Sequence, residues 1–140
     1  MLNQDLVREL CLHYAEAWTA GDVAAAASLF SPSAVVRDPI DGPVLNGIGD
    51  IRAFFDSVSS VVESLEVVDP LFISADCRHV AARYDIVACV DGRRFVTHAV
   101  DIFHLAPNTS DRGPIPNTAS PRSSPRRRVL WINPCPRFPF

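Results

Sequence analysis

The stretch Phe95-Val96-Thr97-His98-Ala99-Val100-Asp101-Ile102-Phe103-His104-Leu105 decides the fold. Its odd positions share one side of a strand, because side chains alternate with period two. That side holds Phe95, Thr97, Ala99, Asp101, Phe103 and Leu105, so it is apolar with a carboxyl group in its middle. A charged, unpaired acid there costs several kcal/mol, and the usual escape is a raised pKa that leaves the group protonated and able to donate. Acids in such surroundings concentrate at functional sites, which makes Asp101 the first candidate.

The neighbouring sequence supplies the rest of a sheet. Val80, Ala82, Tyr84, Ile86, Ala88 and Val90 alternate with more polar residues, and Asp91-Gly92 is a hairpin signal, so the Asp101 strand returns antiparallel. Leu65 to Ile73 is a third strand, with Asp69-Pro70 marking a bulge or an edge position. Before it, Ile51, Phe54, Phe55 and Val58 share one side of a helix. Asp41-Gly42-Pro43 and Asn46-Gly47 mark a loop, and Ala34 to Asp38 is a short strand stopped by Pro39. Pro32 closes the preceding pattern. Leu6, Leu10, Tyr14, Ala17 and Trp18 form the apolar face of a first helix. Gly21 ends that helix, and Asp22 caps a second one running to Leu29 and Phe30. Helices followed by a meander predict an α+β domain, a curved antiparallel sheet wrapped around N-terminal helices.

The chain of 140 residues has two parts. Residues 1–105 carry 15 acids against 7 arginines, and residues 106–140 carry one acid against 6, giving −8 and +5 within the net −3. Eight of the 12 prolines fall after residue 105. The division is therefore a folded domain over 1–105 and a Pro/Ser/Arg-rich tail over 106–140, whose composition buries little. Val129-Leu130-Trp131-Ile132 is its one candidate strand. The change is as abrupt as a shifted reading frame would make it, which resequencing the locus tests.

Composition excludes several classes. No run approaches the roughly 20 apolar residues of a membrane span, and no basic-then-apolar leader opens the chain. Cys11, Cys77, Cys89 and Cys135 are scattered without a C-x-x-C pair, which suits reduced thiols in a cytoplasmic protein better than a disulfide frame or zinc site. His98 and His104 are six residues apart on a strand, roughly 20 Å, too far for one metal ion. His13 and His79 are expected at the surface or behind a site. Arg126-Arg127-Arg128 is expected to be solvated, not a nucleic-acid contact, and no phosphate loop is present. No metal and no cofactor are expected.

Tyr14, Asp38 and Asp101 remain as the chemistry-bearing set. A carboxylate base with two neutral hydroxyl-type donors suits proton abstraction beside a carbonyl, with the donors stabilising the enolate oxygen. Structural alternatives stand beside this: Tyr14 as a core tyrosine, Asp38 as turn chemistry, Asp101 paired with Arg83 or Arg94. Asp41 and Asp85 fit a loop acid and a solvent-facing acid.

The run from His13 through Tyr14, Trp18 and Gly21 to Asp22, with Ser28-Leu29-Phe30 and Val36-Arg37-Asp38-Pro39, resembles ketosteroid isomerases of the SnoaL-like group. These share the nuclear-transport-factor-like cone fold. The likeness continues through Asn46-Gly47, Ile51 to Phe55 and Ala99 to Phe103, covering roughly residues 5–105. It implies a cofactor-independent isomerase moving a C=C bond in a 3-ketosteroid. Asp38 would be the base, Tyr14 the donor to the C3 oxygen and protonated Asp101 the second donor. Trp18, Phe30, Phe54, Phe55, Val58 and Phe103 would line the pocket. The likeness also implies a homodimer through the sheet. Some family members carry supporting tyrosines where this chain has Phe30 and Phe55, and continue with a long aromatic-rich strand where this chain turns to proline. The same residues would serve a polyketide cyclase or hydratase, or a pocket that only binds an apolar molecule.

Overall fold

A computed structural model of the chain describes residues 2–38, 40–106 and 129–132. Three helices precede a long meander: α1 (Gln4–Thr19), α2 (Val23–Ser28), β1 (Phe30–Arg37), β2 (Val44–Asn46), α3 (Gly47–Ser59), β3 (Val62–Ile73), β4 (His79–Val90), β5 (Arg93–Leu105) and β6 (Val129–Ile132). They form the expected α+β architecture.

Local chemistry sets the helix boundaries. The Asn3 side chain accepts the Leu6 N–H at 2.9 Å and opens α1. Gly21, at φ +70°, turns the chain after it, with the Gly21 N–H donating to the Trp18 carbonyl at 3.0 Å. Asp22 then caps α2 through the Ala25 N–H at 3.0 Å, as its sequence position predicts. Gly47 begins α3 at φ +81°, and a Cβ there would stand 3.2 Å from the Pro32 carbonyl oxygen. That close approach and positive φ both call for glycine.

The sheet has six strands in the order β2-β1-β6-β5-β4-β3. β4 and β5 pair antiparallel in continuous register from His79↔His104 to Val90↔Arg93, the hairpin predicted around Asp91-Gly92. β3 lies at the edge, and its register shifts between Val68 and Phe72, where Asp69-Pro70 falls. Both features anticipated there are therefore present. Two boundaries differ from the sequence expectation. β1 begins at Phe30 and runs through Pro32, because the irregular stretch between Phe30 and Val35 makes no demand on a proline N–H. Val44–Asn46, expected in a loop, pairs with β1 as a three-residue strand.

β6 lies between β1 and β5, parallel to the first and antiparallel to the second. Its backbone fills the strand role expected for Val129–Ile132. Apart from Ala106 and β6, the proposed tail lies outside the described residues.

The core is aromatic where α1 meets the sheet. Tyr14 packs against Phe103 at 5.5 Å between ring centroids, Tyr84 at 5.9 Å and Phe30 at 6.1 Å. Trp18 meets Phe55 at 4.8 Å. Such edge-to-face contacts add about 0.5–1.5 kcal/mol each beyond area burial. The C-terminal end of α1 is tied to β3 by one side chain. Thr19 Oγ1 donates to the Leu65 carbonyl at 3.1 Å and accepts the Leu65 N–H at 3.0 Å.

Candidate active site

One pocket of about 520 Å³, including its mouth, opens between the helices and the concave sheet. Its walls are Tyr14 and Trp18 from α1, Asp38 just after β1, and Phe54 and Val58 from α3. Val62, Leu65, Ile86, Ala99 and Asp101 complete them from the sheet. Helical spacing puts Tyr14 and Trp18 on one face a turn apart, and strand parity puts Ala99 and Asp101 on the inner face of β5. Of the site residues named from sequence, Tyr14, Trp18, Asp38, Phe54, Val58 and Asp101 meet in this pocket. Phe30 and Phe55 pack behind the Tyr14 ring. Phe103 also lies there and shares a second, small apolar space with Leu10, Cys11 and Tyr14.

Asp101 is half-buried where its strand face suggested full burial. The pocket opens in front of it, so the carboxyl group lines an open space and not packed core. The alternative ion-pair partners are placed elsewhere. Arg94 pairs with Glu63 at 2.9 Å, and Arg83 stands opposite Val100, on the face Asp101 does not share. Asp38 is also half-buried. Pro39, expected to stop the strand at Asp38, lies outside the described residues.

The Tyr14 hydroxyl is the electrostatic centre of the site. Burial pushes its pKa well above the ordinary value, and the Asp101 and Asp38 carboxylates, wherever they are ionised, push it the same way. The Trp18 indole acts against them. Both acids therefore lie within electrostatic reach of one hydroxyl, which stays protonated and available as a donor through the neutral range. Tyr84, fully buried behind the site, is likewise held protonated, by burial first and then by Cys11, Asp101 and Tyr14. The Cys11 thiol is pushed up to about 11 by burial. That makes it a poor nucleophile at neutral pH.

Two polar groups escaped the sequence analysis. The Trp18 Nε1 and the Tyr84 hydroxyl are both buried without an aligned hydrogen bond among the described residues. The only available signal was their place on inward faces, which an apolar role explains equally well.

The histidines lie away from the pocket. His13 is exposed on α1. His98 bonds Asp85 at 2.6 Å, and His79 stacks on His104 at 4.3 Å across β4 and β5. The pairing of His104 is thus with its cross-strand neighbour, which spacing along one strand does not reveal. Cys77 and Cys89 are free thiols as expected, while Cys135 and Arg126 to Arg128 lie outside the described residues. No group of three or more metal-ligating side chains gathers among the described residues, and no described helix is long and apolar enough to cross a membrane.

The chain belongs to the SnoaL-like domain family, whose model matches residues 12–108. Among particular relatives, it is 24% identical over 96 residues to a steroid Delta-isomerase of Nocardioides simplex, covering 69% of this chain and 76% of that protein. Among solved structures it is similar to SalBIII, an epoxide hydrolase/cyclase-like enzyme of pyran ring formation in the polyether salinomycin. That likeness has a TM-score of 0.75 at 21% identity and covers 96% of this chain and 93% of the other. The second likeness concerns the fold.

Proposed function

We propose that the chain is a cofactor-independent isomerase that moves a C=C bond of a 3-ketosteroid from the Δ5 to the Δ4 position. The observation that supports this most is the meeting of Tyr14, Asp38 and Asp101 on the walls of one largely apolar pocket. Asp38 takes a proton from C4 and returns it at C6. Tyr14 donates to the C3 oxygen as negative charge develops there, and Asp101, in its protonated form, is the second donor. Phe54, Val58, Val62, Leu65 and Ile86 supply an apolar bed for the ring system and keep water from the enolate. Phe30, Phe55 and Phe103 hold Tyr14 in place from behind.

The test is an ultraviolet assay with a Δ5-3-ketosteroid, following the conjugated Δ4 enone in the parent and in Asp38→Asn. Loss of general-base catalysis lowers the rate on the order of 10²–10⁴-fold. An Asp38→Asn protein as active as the parent overturns the assignment of the base.

A second reading rests on the pocket's two acids, which enter from strands on either side of β6. One carboxyl group accepting a proton while the other delivers one is also the equipment of a polyketide-type cyclase or hydratase. Turnover of such substrates without steroid turnover favours it. Ligand binding without any turnover, unaffected by Asp38→Asn, favours a pocket that only binds. The same proposal places the protein in the cytoplasm as a homodimer paired through the outer face of the sheet. On that face Phe72, Ala81 and Ile102 form one cross-strand row, and Phe72 is 62% exposed.

A further inference from the structure

The Trp18 indole presents an unusual situation. The side chain is 6% exposed and lines the same pocket as Tyr14. Its Nε1 is exposed over less than 1 Å² and has no aligned partner among the described residues. A buried donor left unpaired is costly, and a closed-off nitrogen cannot serve a ligand directly. It can serve only a protein group beside it. Tyr14 lies one turn earlier on α1, and the two rings meet edge to face with centroids 6.4 Å apart and planes at 76°. Helical side chains lean toward the N-terminus, so position 18 covers position 14. The rings flanking Tyr14 at 30 and 55 are phenylalanines and offer no hydroxyl.

We propose that the Trp18 indole N–H donates a hydrogen bond to the Tyr14 hydroxyl oxygen, leaving the Tyr14 O–H free to donate into the pocket. Torsional adjustment of either ring completes the alignment. The role in turnover rests on the isomerase reading above; the hydrogen bond itself does not. Trp18 is then a positioning residue, holding the Tyr14 oxygen from behind and stabilising it as it shares the charge of the bound oxyanion. The direction of its influence on Tyr14 agrees, since the indole favours the anion while burial and the two acids oppose it.

The test uses ¹⁵N-labelled full-length protein and the indole N–H resonances of its two tryptophans, Trp18 and Trp131, with Trp18 assigned by its loss in Trp18→Phe. Tyr14→Phe keeps the ring and removes only the oxygen. The expected result is an upfield shift of the Trp18 indole proton in Tyr14→Phe. An unmoved resonance overturns the proposal whatever the protein catalyses, and does so even if Trp18→Phe fails to fold and the assignment is made by Trp131→Phe instead. In the steroid assay, Trp18→Phe lowers kcat about tenfold with KM little changed, the size expected for a hydrogen bond to a charged group. A moved resonance in a protein without steroid turnover keeps the hydrogen bond and removes the isomerase.

Discussion

In the proposed isomerase reaction Tyr14 is a proton donor that does not ionise. Its environment holds the proton through burial and through the two nearby acids. Tyr14→Phe keeps every ring contact and loses only the donor, so kcat in the steroid assay falls by roughly 10²–10³-fold while the melting temperature changes little. Tyr84 is the contrasting case. Its ring is fully buried, but its hydroxyl lacks an aligned hydrogen bond among the described residues. Tyr84→Phe removes a desolvated polar group without a cavity, so urea denaturation should find it equal to the parent or about 1 kcal/mol more stable. A loss of stability would reveal a partner for that hydroxyl, with the Cys11 thiol the first to examine. At this scale the candidate site was legible where chemistry and periodicity coincide. Asp101 is an acid on an apolar strand face, and parity alone located it. Trp18 and Tyr84 are amphipathic rings on apolar faces, and nothing in a one-dimensional pattern separates a packed indole from a working one.

Among the elements, the junction of α1 with β3 has the clearest consequence. Thr19 satisfies both backbone groups of Leu65, and Leu65 is itself a pocket wall. Thr19→Val keeps the shape and strands both backbone groups, so it costs about 1–3 kcal/mol in urea denaturation. Thr19→Ser, which restores the hydroxyl, should recover most of that loss. The start of α3 is fixed differently, by backbone conformation. Gly47→Ala meets both a positive φ and the Pro32 carbonyl and is expected to lower stability by about 1–2 kcal/mol. Elements with long, regular periods were legible in sequence: α1, α3 and the β4–β5 hairpin. β2 was not, because three residues carry no period and it is a strand only by virtue of pairing with β1. The strand through Pro32 was hidden for a related reason. A proline forbids a ladder bond, and only the three-dimensional register shows that none is required there.

For the whole molecule, buried titratable groups set the alkaline limit. The Cys11 thiol keeps its proton in the fold up to about 11, against an ordinary value of 9.0. Between those values the unfolded chain binds fewer protons than the folded one, so stability falls as pH rises through that window. Two pK units correspond to about 2–3 kcal/mol. Tyr14 and Tyr84, both held protonated, add losses of the same sign at higher pH. Urea denaturation across pH 8 to 11 should therefore slope downward, and Cys11→Ala should flatten the first part of that slope. An unchanged slope in the variant would show that the thiol is not the group responsible. The overall α+β class was legible because each half of the chain announces its own period. The place of β6 between β1 and β5 was not, since the sequence marks Val129–Ile132 as a candidate strand without showing which strands it joins.

The position of β6 makes the site a matter of distance as well as inventory. Asp38 follows β1 and Asp101 stands on β5, and β6 is the strand between them. Two strand spacings, roughly 9–10 Å, thus separate β1 from β5. A chain cut after Leu105 would retain every residue proposed for chemistry yet lose the spacer that gauges one acid against the other. It would also present two unsatisfied edges, on β1 and on β5, as templates for aberrant pairing. The short strand therefore acts as a ruler for the two acids, and a detached peptide carrying it becomes a candidate for restoring a truncated chain by complementation in trans.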